Sequence, residues 1–157
     1  MARRMLPAYT RRSVKDPRIE LLRQVPLFAQ LSAKQLDFVV TRVDEVDVAK
    51  GETLIREGDG NHAMHIIVEG EAQVTVAGTP RRVLGPGAFF GEISMMDRRP
   101  ATATVTSLSP LRLLVLSHAQ FRDAIKADLD LSMAVLATMA QRLRDDAETR
   151  GDSADVT

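Results

Sequence analysis

The sequence contains no cysteine and no tryptophan in 157 residues. Without cysteine there is no disulfide framework, and no thiolate to act as nucleophile or soft metal ligand. That composition suits a reducing compartment, and a cytoplasmic location is the expectation. Aromatic residues make up only 4%, too few for the stacking platforms that bind single-stranded nucleic acid. Basic and acidic residues cancel to a net charge of zero, which removes any general attraction to nucleic acid or to an anionic membrane. No apolar run approaches the ~20 residues that span a bilayer. The basic N-terminus lacks the apolar stretch of a signal peptide.

What is present is an ordinary globular balance, with 45% hydrophobic and 27% charged residues, enough for one domain with its own core. Charge gathers at the two ends. The first stretch carries Arg3, Arg4, Arg11, Arg12, Lys15 and Arg18 against Asp16, and the last is acidic apart from Arg150. The expected organisation is a basic arm over 1–17, a folded domain over 18–145 and an acidic tail over 146–157. The ends read either as solvated tails or as docking arms for a partner.

Within the domain the periodicity changes twice. Ile19, Leu21 and Leu22 form an apolar cluster before Pro26, and Ser32 is a good N-cap for a helix carrying Leu36, Phe38, Val39 and Val40. From Val43 to Phe90 short apolar segments are broken by Gly51, "GDGN", Gly70, "AGTP" and "GPG", the punctuation of antiparallel strands. "EAQVTVAG" alternates, with Ala72, Val74 and Val76 on one face. "ATATVTSLSPLRLLVLS" gives two more strands around Pro110, and helical period returns in "HAQFRDAIKA" and "DLDLSMAVLATMAQRLRDD". The expected fold is α+β: an antiparallel β-roll of about eight strands, with helices before it and two helices after it.

One stretch carries chemistry: "FFGEISMMDRRPATATV", residues 89–105. Gly91 lets backbone approach a ligand closely. A short helical turn over 92–96 would direct free N–H groups at an anion. Glu92 repels a bare phosphate, but it accepts hydrogen bonds from the hydroxyls of a sugar beside one. The same residues also fit a plain tight turn with an exposed glutamate.

In order and spacing, "LLRQVPLFAQLSAKQLDFVV", "KGETLIREGDGNHAMHIIVEGEAQV" and "FFGEISMMDRRPATATV" together resemble the cyclic-nucleotide-binding domain of the catabolite-activator and protein-kinase regulatory-subunit superfamily. The resemblance covers Arg18 to about Asp145. It implies a β-roll, a short cassette helix, a C-terminal helix that closes over the ligand, and a 3′,5′-cyclic purine nucleotide (cAMP or cGMP) as that ligand. Carried over by position, Gly91 and Ile93 supply backbone contacts and Glu92 binds the ribose 2′-hydroxyl. Ser94 and Thr102 hydrogen-bond the cyclic phosphate, and Ala103 adds a backbone N–H. The resemblance further implies that Leu136, Met139, Arg142 and Leu143 cap the base.

The sequence departs from the family pattern at two positions. The family has an arginine directly after the proline of the cassette; here Ala101 stands there. His65 takes the place of an aromatic residue. The absent guanidinium would make a bidentate, charge-assisted contact with phosphate. Hydrogen bonds to charged groups are worth about 1.5–3 kcal/mol, so the loss corresponds to roughly ten- to a few hundred-fold in affinity. Three accounts stand open. Arg99, two positions before Ala101, reaches the phosphate in its place; the backbone cradle holds a cyclic nucleotide weakly, or another small anion; or the pocket is vestigial and the domain works through protein contacts.

Other chemistry is poorly supported. His62 and His65 form H-x-x-H, a spacing that in a strand faces opposite sides, so no metal site is expected. A β-roll metalloenzyme would need clustered histidine and carboxylate ligands. No nucleophile elbow, Walker loop or paired catalytic carboxylates appear, so the protein is not expected to be an enzyme and no cofactor is expected. Asp44, Glu45, Asp47 and Glu52 read as solvated residues around a strand end. Leu129, Met133, Leu136, Ala140 and Leu143 lie on one helical stripe with near-heptad spacing, which suits either core packing or a homodimer. The resemblance adds that family transcription factors place a DNA-binding module after this helix. Here only the acidic tail follows, so a stand-alone domain acting on an unidentified protein partner is the expectation, with no direct contact to nucleic acid or membrane.

Overall fold

The computed structural model describes residues 16–60 and 63–156; within the last helix it does not describe the side chains of 142, 146 and 149–156. In chain order the elements are α1 (Pro17–Arg23), a 3₁₀ turn (Pro26–Phe28), α2 (Ala33–Val40), β1 (Asp44–Val48), β2 (Thr53–Ile55), β3 (Ala63–Glu69), β4 (Ala72–Val76), β5 (Thr79–Leu84), β6 (Phe89–Phe90), α3 (Glu92–Asp97), β7 (Thr104–Ser107), β8 (Leu111–Ser117), α4 (His118–Ala127) and α5 (Leu129–Val156). This is the expected α+β roll of eight antiparallel strands, with helices at both ends.

Short polar motifs fix the helix starts. Asp16 caps α1 by accepting from the Arg18 N–H at 3.0 Å, and pairs with the Arg18 guanidinium at 2.7 Å. Both carboxylate and guanidinium are thereby held in their charged forms: hydrogen bonding to Arg18 lowers the Asp16 pKa, and hydrogen bonding to Asp16 raises that of Arg18. Ser32 with Gln35, and Ser117 with Gln120, form reciprocal capping boxes on α2 and α4, each satisfying two otherwise orphaned N–H groups. Gly70, at φ 97°, turns the chain between β3 and β4; a Cβ there would lie 2.3 Å from the Pro110 carbonyl oxygen, so no side chain fits.

The strands form two four-stranded sheets, one in the order β1-β8-β3-β6 and the other β2-β7-β4-β5. Two apolar clusters fill the molecule. One packs the helices against the outer face of the first sheet, through Met64, Ile66, Leu114 and Leu116 together with Leu22, Phe28, Leu36 and Leu131. The other lies inside the roll, with Ile67, Leu111 and Leu113 facing Val74, Leu84, Phe90 and Val105. Alternate residues of β3 and β8 therefore serve different cores. β1 is a full strand paired along β8, and its acids, read from sequence as lying at a strand end, line its exposed edge. Asp47 pairs there with Arg112 at 3.3 Å.

The last two helices meet at a single residue. Asp128 is extended (φ −147°, ψ 107°), and its carboxylate accepts from the N–H groups of Asp130 and Leu131 at 2.9 and 3.2 Å. Helix α5 then runs to Val156, through the segment assigned above to a tail. No proline interrupts that segment, so nothing in it removes a backbone donor or forces the helix to break. α5 packs on the 3₁₀ turn and on α4, burying Leu131, Val135 and Thr138. The stripe read as core or dimer surface lies on the other face and is not core: Leu129 is 75% exposed, Met133 58%, Leu136 61% and Leu143 66%.

Candidate functional site

A cavity of about 470 Å³ opens inside the roll, walled on one side by Gly91–Ser94 and on another by Ala101–Ala103. The seven positions assigned to the ligand from the sequence other than Arg99 all line it: Gly91, Glu92, Ile93, Ser94, Ala101, Thr102 and Ala103. Gly91 adopts φ 83° and begins α3, a left-handed conformation that glycine takes at little cost. Glu92 follows in the first turn and is only 9% exposed. Burial of a carboxylate is costly unless something satisfies it, so its position in the cavity wall marks a built feature. Met95, fully buried, ties α3 to the helical core. The Met95 carbonyl oxygen lies 2.7 Å from His118 Nδ1; since a carbonyl only accepts, Nδ1 carries the proton, and α4 is fastened to the cassette helix.

Ala101 is held by its backbone. Its N–H donates to the Asp59 carbonyl at 2.9 Å, and its carbonyl accepts from the Gly58 N–H at 2.8 Å. Pro100 bridges Gly60. The Ala101 amide is thus already engaged, and what the residue offers the cavity is its methyl group, 8% exposed.

Arg99 does not line the cavity. The expectation rested on strand alternation from Arg99 to Ala101, but the chain enters that pair from a turn. Arg98 ends α3 in the left-handed region (φ 61°, ψ 22°), and the Asp97 carboxylate accepts the Arg99 N–H at 2.9 Å. The turn leaves Arg99 exposed. The base-capping residues are also elsewhere. None of Leu136, Met139 and Leu143 lines the cavity. Met139 packs against the helical core, while Leu136 and Leu143 face away from the body of the domain. The side chain of Arg142 lies outside the described residues, as does His62 of the H-x-x-H pair.

The sequence reading missed Arg82, which does line the cavity. Only cross-strand register brings it there. Arg82 stands two residues before buried Leu84 on β5, and in the sheet it pairs with Val74. Val74 pairs with Val105, and Val105 with Ile55. Ile55, Val105, Val74 and Arg82 form one row across four strands, an apolar floor ending in a cation.

His65 does the work of an aromatic residue. Its ring stacks on Phe90, with centroids 4.9 Å apart and planes 7° from parallel. Its Nδ1 is buried with no hydrogen-bond partner among the described residues. Burial pushes its pKa down to about 4, because desolvation disfavours the charged ring. Among the described residues no group of three or more His, Asp or Glu is placed to hold a metal ion. No described helix is long and apolar enough to cross a membrane.

Over residues 45–128, more than half of its length, the chain matches the family model of the cyclic nucleotide-binding domain. It belongs to that family. It is 32% identical over 118 residues to a putative potassium channel protein of Rhodopseudomonas palustris, a match covering 73% of this chain and 29% of the other. It is 25% identical over 130 residues to the CRP-like cAMP-activated global transcriptional regulator of Mycobacterium tuberculosis, covering 80% and 58%. Among solved structures it is similar to the N-terminal domain of a transcriptional regulator from Streptomyces coelicolor, with TM-score 0.76 and 32% identity over 82% of this chain and 95% of that one. The regulatory domain of Toxoplasma gondii PKA, solved with cAMP, aligns with TM-score 0.63 and 34% identity over 70% and 46%. The chain spans about a third of the channel protein and a little over half of the mycobacterial regulator.

Proposed function

We propose that the protein is a non-catalytic sensory domain that binds a cyclic purine nucleotide in the cavity of its roll and signals through α5 to a protein partner, in the cytoplasm. The observation that carries this reading is the meeting of buried Glu92 with Gly91, Ser94, Thr102 and Ala103 around one cavity. A carboxylate in that setting takes ribose hydroxyls, and the neighbouring hydroxyls and amides take the phosphate. With alanine at 101 the phosphate lacks its usual guanidinium, so binding is weak. Signalling rests on a ligand having different affinities for two arrangements of α5.

The exposed stripe on α5 supports a partner contact. Leu129, Met133, Leu136, Ala140 and Leu143 follow 4-3-4-3 spacing, the seam of a two-helix coiled coil. A second copy of this chain is the occupant that seam fits, since the same apolar row meets itself. Leu136→Glu is expected to convert a dimer to a monomer in sedimentation velocity.

The second reading, a domain that has lost its ligand and acts only through protein contacts, is favoured by one observation: the methyl of Ala101 where phosphate needs charge. Thermal shift separates the two. A ligand that binds only the folded state raises Tm by mass action, so a rise with cAMP or cGMP supports binding. A flat response to both at millimolar concentration would leave the interaction module standing.

A further inference from the structure

We infer that the free edge of β1 is a docking surface for the chain's own basic N-terminal arm, with residues 8–15 lying antiparallel along β1 as a fifth strand of the first sheet. The inference is independent of the nucleotide reading.

β1 is the edge strand of its sheet: one side pairs with β8, and no strand lies on the other among the described residues. Such an edge presents a row of N–H and C=O groups that can take a further strand. Among the described residues, no backbone hydrogen bond outside the β8 ladder uses β1. Asp44, Glu45, Val46 and Asp47 are all exposed. The acids stand on both faces. Val46 and Val48 pair with Leu113 and Leu111 of the inner core, and Asp44 shares their side; Glu45 pairs with Leu114 of the helical core, and Asp47 shares its side. Like charges repel across neighbouring strands, so this edge rejects a second β1 and selects a basic strand.

The arm supplies one. Residues 1–15 hold Arg3, Arg4, Arg11, Arg12 and Lys15 and no acid; since the whole chain is neutral, the remainder carries an excess of five negative charges. Arg11 and Arg12 are adjacent, so on a strand they take opposite faces, as the acids of β1 do. Tyr9, Thr10 and Val14 are good strand formers. Pro7 cannot donate to a ladder and bounds the segment at eight residues. Extended, these span about 26 Å, more than the five residues of β1 need.

The point of attachment sets the direction. The arm joins the domain at Asp16, the cap of α1. α1 buries Ile19 in the same cluster as Leu114, the residue opposite Glu45. The Arg18 pKa is raised by its bond to Asp16 first and, more weakly, by the charge of Glu45. α1 therefore begins beside the Asp44–Glu45 end of β1. A strand leading into Asp16 along this edge starts near Val48 and ends near Asp44, antiparallel to β1. The acidic segment after Arg150 also matches the arm in charge, but β1 is favoured because it lies where the arm is attached.

The test is amide hydrogen exchange of the full chain at low ionic strength, followed residue by residue by NMR. β1 is expected to exchange at least tenfold faster in Arg11→Glu/Arg12→Glu than in wild type, and at the wild-type rate in the control Arg3→Glu/Arg4→Glu. Adding Asp44→Arg and Glu45→Arg to the first variant should restore protection, while β5, the edge of the other sheet, keeps its rate throughout. Equal β1 exchange in wild type and Arg11→Glu/Arg12→Glu overturns the inference, as does an equal loss in the control, a failed restoration, or a change that falls at the end of α5 instead. Protection by the chain's own arm is independent of protein concentration; protection lost on dilution means that a second copy supplies the arm, and overturns the assignment. A nitroxide on Ser13→Cys, in a chain with no other thiol, checks the placement without altering a charge. It should broaden the amide signals of β1, and broadening confined to other strands or to α5 overturns the inference.

Discussion

The two sheets of the roll have the same number of strands and divide the molecule's tasks between them. The sheet β1-β8-β3-β6 is covered on both faces along β3 and β8, by helices outside and by the inner core within. The sheet β2-β7-β4-β5 is covered on one face only, and that face is the cavity floor. A sheet packed on both sides has no room to adjust to a ligand. A sheet with a free outer face accommodates loop turns, an exposed arginine and an open edge. Stability and binding are therefore expected to respond to different residues.

The largest effect is expected from Leu114→Ala, which removes a 1% exposed side chain from the doubly covered sheet. Such truncations cost about 2–5 kcal/mol, measurable by urea denaturation, and should leave nucleotide affinity of the remaining folded protein within about twofold. Val74→Ala on the other sheet is expected to invert that pattern, with a smaller loss of stability and a clear loss of ligand affinity. Equal responses at the two positions would break the comparison.

Next in size is the pH dependence set by His65. Its pKa is about 4 in the folded protein and near 6.5 in the unfolded chain. Between these values the unfolded state binds the extra proton, so stability rises with pH across the window. As pH falls from 6.5 toward 4, about 3 kcal/mol is expected to be lost, with nothing further below 4. His65→Phe keeps the stack on Phe90 and removes the proton, and should flatten this part of the stability curve.

Ala101→Arg is expected to raise cAMP or cGMP affinity at least tenfold by calorimetry, about 1.4 kcal/mol. The backbone at 101 already directs its side chain into the cavity, so a guanidinium placed there emerges beside Ser94 and Thr102. No gain would show that the cassette wall is not otherwise intact. The smallest effect is expected at Arg98, held at φ 61°. Arg98→Gly relieves the left-handed strain and should stabilise by about 0.5–1 kcal/mol, read as a small rise in Tm with unchanged affinity.

Much of this was legible in the residues. Ser32 and Ser117, each followed three positions later by glutamine, announce two helix starts, and the glycine-punctuated strands announce the roll. The cavity wall from Gly91 to Ser94 was legible because adjacent residues in one motif stay adjacent in space. The differences in placement fall where distant segments decide the outcome. Arg99 looked poised beside Ala101, but the left-handed turn at Arg98 and the Asp97 carboxylate redirect the chain. Leu136 and Leu143 were assigned to a lid, yet α5 leaves toward the 3₁₀ turn with that stripe outward. Arg82 was overlooked because only cross-strand register, not local sequence, brings it beside Val74.

The Asp128 joint has a mechanical consequence. Beyond that one extended residue α5 continues for 28 residues, about 42 Å of rod at 1.5 Å per residue. A tilt of only ~10° at the joint would swing the far end through about 7 Å, given that rise per residue. The domain thus holds a long pointer on a short pivot: a slight rearrangement at Asp128, at the end of α4 opposite the one that His118 fastens to the cassette helix, would be read at the tip as a displacement larger than a turn of helix.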